Sequence, residues 1–220
     1  MRVQLISDPE YVDGFTGILT ASPEIEIVHE APEIVFDATF VNIDAKLKAL
    51  GALQDSKALI ISNTLTLSAT LSQKTAGTSA QIVGAPILPN YFGRQQVIEI
   101  SRPLNSSNKL DSANSFFALL SKKTETIGDA IGGVFPRTLS MIINEAAFAL
   151  QEKVATAEDI DLAMKLGTNY PKGPLAWCDE IGAAVVVAIL DALGKEYGSD
   201  RYRVAALLRR HAEAGINFYA

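Results

Sequence analysis

Cysteine occurs once in this 220-residue chain, at Cys178, which excludes an intramolecular disulfide and any cysteine-based metal cluster. Histidine occurs twice, at His29 and His211, and two such residues make no metal site with the acids available. Basic residues are outnumbered, 19 Lys and Arg against 25 Asp and Glu. The resulting net charge of −6 argues against broad, salt-driven binding to nucleic acid or an anionic membrane. The most apolar stretch, Ile181 to Leu193, falls well short of the ~20 residues that span a bilayer. The first residues, Met1 to Pro9, carry an acid and a proline behind a short strand-like run, so no signal peptide is expected and the expected location is cytoplasmic. Disorder is excluded as well, because 48% of the residues are hydrophobic and only 20% are charged.

What is present divides into two textures. Arg2–Ser7, Glu24–His29, Ile34–Phe40, Lys57–Ser62, Gln81–Ala85 and Gln96–Ile100 read as strands. Helical patterns over Glu10–Ala21, Ile43–Leu53 and about Leu67–Thr75 separate the early ones. Strands alternating with short helices predict βαβ units and a parallel sheet covered on both faces. Behind the polar connector Pro103–Lys109 almost everything reads as helix: Leu110–Thr124, Phe135–Glu152, Thr156–Gly167, Leu175–Tyr197 and Arg201–Ala214. Thr156 is the expected N-cap of one helix, and Gly198 and Gly215 stand where helices should end. The expected fold is therefore α/β, a compact Rossmann-like doubly wound parallel sheet over 1–130, followed by an all-α helical domain over 131–220.

The second half also carries a series of motifs at fixed spacing. Asn144-Glu145-Ala146, Lys153-Val154-Ala155, Glu158 to Asp161, Ala163 to Gly167, Tyr170-Pro171-x-Gly173-Pro174 and Asp179-x-Ile181-Gly182 follow in order, and the chain closes on Gly215-Ile216-Asn217-Phe218-Tyr219. This series resembles the C-terminal helical domain of the 3-hydroxyacyl-CoA dehydrogenase family over roughly 134–219. The first half is similar to a shortened version of that family's nucleotide-binding domain, in Asp37 to Phe40 with Lys46, in the turn Ser62-Asn63-Thr64 and in Gln81–Ile100. The resemblance implies a setting in acyl-CoA and fatty-acid metabolism, NAD as cofactor, an acyl-CoA-like small-molecule ligand and a homodimer formed through the helical domain. Carried over residue by residue, it places Thr39, Phe40, Lys46 and Asn63 near the cofactor, Thr64, Thr66 and Arg137 near the substrate, and Glu99 as a vestigial catalytic carboxylate.

The chemistry does not transfer with the motifs. Oxidation of a secondary alcohol needs a base beside the hydroxyl, typically a histidine oriented by a carboxylate, and a nicotinamide to take the hydride. The family's histidine falls on Pro86, or on Ile87 if the insertion is placed earlier, and neither side chain accepts a proton. The family's serine reads Leu65 here, and its Asn-Arg reads Pro136-Arg137. Where a Gly-x-Gly-x-x-Gly turn should follow the first strand stands Ser7-Asp8-Pro9-Glu10-Tyr11, whose two acids repel a diphosphate. The expectation is a degenerate homologue that binds a ligand or a partner. The competing expectation is an active oxidoreductase that uses relocated groups such as Glu99 or Tyr91.

Several residues keep two readings at this level. Lys46 is either a phosphate contact or a solvated charge on an amphipathic helix, and Asn63 and Thr64 are either ligand contacts or turn formers. His29 is a ligand contact or a polar strand end; His211 belongs to a solvated helix face. Trp177 and Cys178 sit at apolar spacing that fits core or dimer packing. Arg201, Arg203, Arg209 and Arg210 form a basic cluster that either holds an acyl carrier's phosphates or decorates a solvated surface.

Overall fold

In the computed structural model, which describes residues 1–77, 79–104, 106–107, 110–198 and 200–219, the chain forms two compact units, Met1–Gly133 and Val134–Ala220. The first is built on five parallel strands, β1 (Arg2–Ile6), β2 (Glu26–Ile27), β3 (Ile34–Asp37), β4 (Leu59–Asn63) and β5 (Gln81–Ala85), in the order β2-β1-β3-β4-β5. The alternation of a parallel pleat sends successive side chains to opposite faces. Ile34 and Phe36 accordingly join one core, with Phe15 and Leu19 of α1 (Val12–Thr20) and Phe116 and Phe117 of α4 (Asp111–Leu119). Val35 joins the other, with Leu50 of α2 (Ile43–Gly51) and Ala69 and Ala76 of α3 (Ala69–Ala76). Helices on both faces make the sheet doubly wound, with its switch point between β1 and β3.

Two strands stand outside this sheet. β6 (Val97–Ile100) pairs in parallel with β7 (Lys123–Thr126), with α4 as the crossover between them. This corrects the expected helix Leu110–Thr124, which ends at Leu119. Lys123–Thr126 is short and mostly exposed, and its partner strand lies more than twenty residues away, so no local pattern announces it. The pair is tied to the edge of β5 by an antiparallel bridge between Gly84 and Ser101. A Cβ on Gly84 would lie 2.6 Å from Ser101 Oγ and 2.7 Å from Thr64 Cγ2, so only glycine permits that approach. Within the connector Pro103–Lys109, positions 105, 108 and 109 lie outside the described residues.

The second unit contains α5 (Phe135–Gln151), α6 (Ala157–Thr168), α7 (Pro174–Ile181), α8 (Ala183–Tyr197) and α9 (Ala206–Ala214). The single helix expected over Leu175–Tyr197 is two helices, broken at Gly182 with φ 101°, a conformation that costs a residue with a Cβ dearly. The expected helix Arg201–Ala214 is likewise a 3₁₀ turn, Asp200–Tyr202, followed by α9. Thr156 caps α6 by accepting the Asp159 amide. Gly198 and Gly215 end α8 and α9 in the left-handed region.

Trp177 and Cys178 are buried on α7, as their spacing suggested. Burial, and then the charge of Asp179, push the Cys178 thiol up to about 12. A protonated, enclosed thiol is a poor nucleophile. Native protein at pH 8 is therefore expected to leave an aromatic disulfide reagent unreacted over an hour, and to release one equivalent of thiol once denatured. A fast native reaction would show that α7 opens.

Among the described residues no helix is long and apolar enough to cross a membrane. Among them, too, no group of three or more His, Cys, Asp or Glu side chains is placed to hold a metal ion.

Candidate functional site

In doubly wound sheets ligands bind beyond the carboxyl ends of the strands, next to the switch point. Asp8 sits there, directly after β1, and is 4% exposed. Its Oδ2 accepts the backbone N–H groups of Phe40 (2.9 Å) and Val41 (3.1 Å), and its Oδ1 that of Asn42 (3.4 Å). Three successive amides converging on one anion form the kind of nest that also holds phosphate; in this chain its occupant is the protein's own carboxylate. Tyr11, on the same turn, packs on Phe40 with ring centroids 5.4 Å apart. Burial, then the charges of Glu10 and Asp8, push its phenol up to about 12, so it stays neutral at physiological pH.

The structure brings together four residues expected near a cofactor, and it engages each of them internally. Lys46 is fully buried, not the solvated charge of the second reading, because its ammonium finds a carboxylate and a carbonyl as acceptors. Its Nζ donates to Asp37 Oδ2 at 2.5 Å and to the Thr39 carbonyl at 2.9 Å. Ser62 Oγ donates to the same carboxylate at 2.9 Å, with Ser72 Oγ a further 3.2 Å away. Asn63 is a cross-link between three strand ends. Its Oδ1 accepts from the amides of Leu65 and Ile87, and its Nδ2 donates to the carbonyls of Ile87 and Ala38. Phe40 is buried, and its carbonyl accepts from Thr66 Oγ1 at 2.7 Å. Thr64 pairs through its backbone, donating to the Ala85 carbonyl and accepting from the Gly132 amide.

Glu99, on β6, is half-buried. Its carboxylate and the ring of Pro86 converge on Gly133 so closely that a Cβ at that position would overlap both. Pro86, one of the two positions to which the family resemblance assigns the catalytic histidine, thus lies beside the carboxylate that should orient it and presents a saturated ring; Ile87, the other, is buried in the apolar core. His29 is exposed after β2, at the opposite edge of the five-stranded sheet from β5. His211, in the helical unit, stacks on Phe218 at 4.0 Å, with Nδ1 3.3 Å from the Ile216 carbonyl. Arg137 belongs to the same unit, on α5. Its guanidinium lies over the rings of Tyr197 (4.7 Å) and Tyr202 (5.3 Å) and donates to both phenol oxygens.

Sequence reasoning passed over two groups that shape this region. Lys122 is buried and donates to the carbonyls of Phe92 (2.6 Å) and Gln95 (2.7 Å) while lying over the Phe92 ring. It anchors the segment behind Pro86, and burial holds its ammonium below the ordinary lysine range. Asp129 caps α3, accepting the amides of Ala69 and Thr70 at 2.8 Å each. Lys122 stands between Ser121 and Lys123, and Asp129 between Gly128 and Ala130, so no local pattern announces either role.

Comparison with known proteins matches residues 132–217 to the C-terminal domain of 3-hydroxyacyl-CoA dehydrogenase. A probable 3-hydroxybutyryl-CoA dehydrogenase of Deinococcus radiodurans is 33% identical over 217 residues, 97% of this chain and 76% of that protein. A 3-hydroxyadipyl-CoA dehydrogenase of Escherichia coli is 50% identical over 86 residues, 39% of this chain and 18% of the other. In fold, the crystal structure of (S)-3-hydroxybutyryl-CoA dehydrogenase from Ralstonia eutropha superposes with a TM-score of 0.77 at 24% identity, covering 97% of this chain and 94% of that one. The doubly wound sheet, the helical unit and a relative aligned along nearly the whole length place this chain in the 3-hydroxyacyl-CoA dehydrogenase family.

Proposed function

We propose that this chain is a degenerate member of its family, a protein of acyl-CoA metabolism that binds an acyl-CoA-like ligand without oxidising it. The observation that carries the reading is the pairing of Glu99 with Pro86 at Gly133. A carboxylate orients and charges an imidazole in general-base catalysis; the ring of Pro86 accepts no proton. The residues also do not fit a nicotinamide dinucleotide. The turn after β1 offers the buried carboxylate of Asp8, already saturated by the amides of 40–42, and Pro9, which has no N–H to give a phosphate. A pyrophosphate brought there meets a like charge in place of donors. The same reading pairs two copies through the helical unit, where α6 exposes Leu162 and Leu166 one turn apart.

The test is oxidation of NADH by acetoacetyl-CoA, followed at 340 nm, alongside thermal unfolding with NAD, NADH and acetoacetyl-CoA at about 1 mM each. The expected result is no turnover above a blank, no shift with either nicotinamide, and a rise of several degrees with the CoA ester. A ligand at ~100 times its Kd adds ~2.7 kcal/mol, and each kcal/mol moves the midpoint of a chain this long by ~2–4 °C. Measurable NADH consumption would overturn the proposal.

A further inference from the structure

The turn after β1 does more than lack the donors of a phosphate turn, because it ties the two sides of the switch point together. β1 and β3 end side by side, Ile6 opposite Asp37. Their loops then lead to helices on opposite faces of the sheet, α1 on one and α2 on the other. Loops that part in this way open a crevice in a doubly wound sheet. Here two contacts span it, the Asp8 carboxylate on the amides of 40–42 and the Tyr11 ring on Phe40. Both come from one short turn, in which the Tyr11 amide donates to the Asp8 carbonyl at 3.1 Å and Pro9 fixes the backbone between them.

The way Asp8 is held shows what its place selects. Among the described residues no lysine or arginine pairs with it, so the charge is kept below the surface by backbone amides. Burying a carboxylate is costly unless its oxygens are satisfied, and these three N–H groups come from a segment more than thirty residues downstream. Successive amides aimed at one point respond to negative charge and to small size, and a phosphate meets both conditions as well as a carboxylate does. The rim is open to solvent, since Val41 is 49% exposed and Asn42 is exposed. Withdrawing the carboxylate would therefore leave donors that a solute can reach, not a sealed void.

We infer that Asp8 is an autoinhibitory clasp on an anion site: the amides of 40–42 are able to take a phosphate group, and the chain's own carboxylate keeps it out. The inference deepens the proposed function and rests on it in one respect, that the crevice has no dinucleotide to receive. What it adds is that one side chain maintains the exclusion, by occupying the donors and not by its charge alone.

The experiment compares the full chain with its Asp8→Ala and Asp8→Asn variants by thermal unfolding and isothermal titration. Each is measured in chloride, inorganic phosphate and pyrophosphate at matched ionic strength. The parent is expected to bind neither phosphate nor pyrophosphate and to keep one midpoint throughout. Asp8→Ala frees the amides, so its midpoint in chloride should fall below the parent's. Pyrophosphate should then raise it by about 3–6 °C, the shift of a ligand present at ~10 times its Kd. Asp8→Asn keeps an oxygen on the amides and should gain no such response. Should the alanine variant not fold in chloride, Asp8→Ser carries the same test, because its hydroxyl falls a bond short of the carboxylate oxygens. Pyrophosphate binding by the parent, a folded Asp8→Ala or Asp8→Ser variant that ignores both anions, or an equal response in Asp8→Asn would overturn the clasp. A parent stabilised by acetoacetyl-CoA, beside an unresponsive Asp8→Ala, would remove the clasp and leave the proposed function standing. An anion-responsive Asp8→Ala beside a parent that oxidises NADH would do the reverse.

Discussion

Lys46→Met is expected to cost the first unit about 3–5 kcal/mol, the range found when one partner is removed from a buried ion pair. The methionine fills the lysine's volume, so the loss is not a cavity effect. What remains is the Asp37 carboxylate, 1% exposed, holding the Thr39 amide and the Ser62 hydroxyl but no cation. Desolvation of that charge, which the ammonium at 2.5 Å offsets, then stands uncompensated. A companion Lys46→Met/Asp37→Asn variant removes both charges while an amide oxygen still accepts from Thr39, and it should recover more than half of the loss. Replacing a complete buried pair by neutral groups is commonly close to neutral. Urea unfolding followed by far-UV circular dichroism reads both variants. A single variant within about 1 kcal/mol of the parent would mean that Lys46 behaves as a surface charge.

That lysine also marks the limit of what the sequence reveals. The runs Ile34–Phe36 and Ala58–Ile61 are continuous and apolar because helices cover both faces of their strands, and a pattern of that kind is legible without a structure. Lys46, by contrast, reads as one polar position on an amphipathic helix. Its burial is decided by Asp37, which β3 delivers from the other side of a loop. The same holds for Asp8. Its charge announced a poor place for a diphosphate, but the amides that occupy it come from more than thirty residues downstream. Tertiary partners of a polar side chain leave no periodicity. β7 was lost for a related reason, since Lys123–Thr126 pairs with distant Val97–Ile100 and buries little of its own surface. At the candidate site the identities were readable, Pro86 among them. Their convergence on Gly133 was not, because Glu99, Pro86 and Gly133 come from three separate segments.

Asp161→Ala is expected to destabilise the helical unit by about 2–4 kcal/mol, and the effect should appear first around Trp177. Asp161 is 5% exposed and stands at the start of α7, where its two oxygens accept the amides of Leu175 (2.8 Å) and Ala176 (2.9 Å). Those amides have no partner within their own helix. Losing such a cap costs ~0.5–2 kcal/mol, and stranding a buried donor adds ~1–3 kcal/mol; Leu175 is fully buried, so water cannot replace the carboxylate at its amide. A third donor is lost with them, the Tyr219 hydroxyl at 2.9 Å, which also reaches the Ala157 carbonyl. Burial, then the hydrogen bond to Asp161, hold that phenol well above its ordinary range, so it remains a donor at any physiological pH. Tyr219→Phe removes only the hydroxyl, with its contacts to Asp161 and the Ala157 carbonyl, and should cost about 1 kcal/mol. Gly173→Ala approaches the same node from the other side, since a Cβ there would overlap the Asp161 side chain and drive it off the helix. Trp177, the chain's one tryptophan, lies on α7 and packs on Tyr170 at 5.8 Å, so its fluorescence reports this helix. The Gly173→Ala and Asp161→Ala midpoints should fall together, with Tyr219→Phe between them and the parent. An Asp161→Ala midpoint within about 0.5 kcal/mol of the parent, the range of an ordinary surface substitution, would show that α7 holds by packing alone.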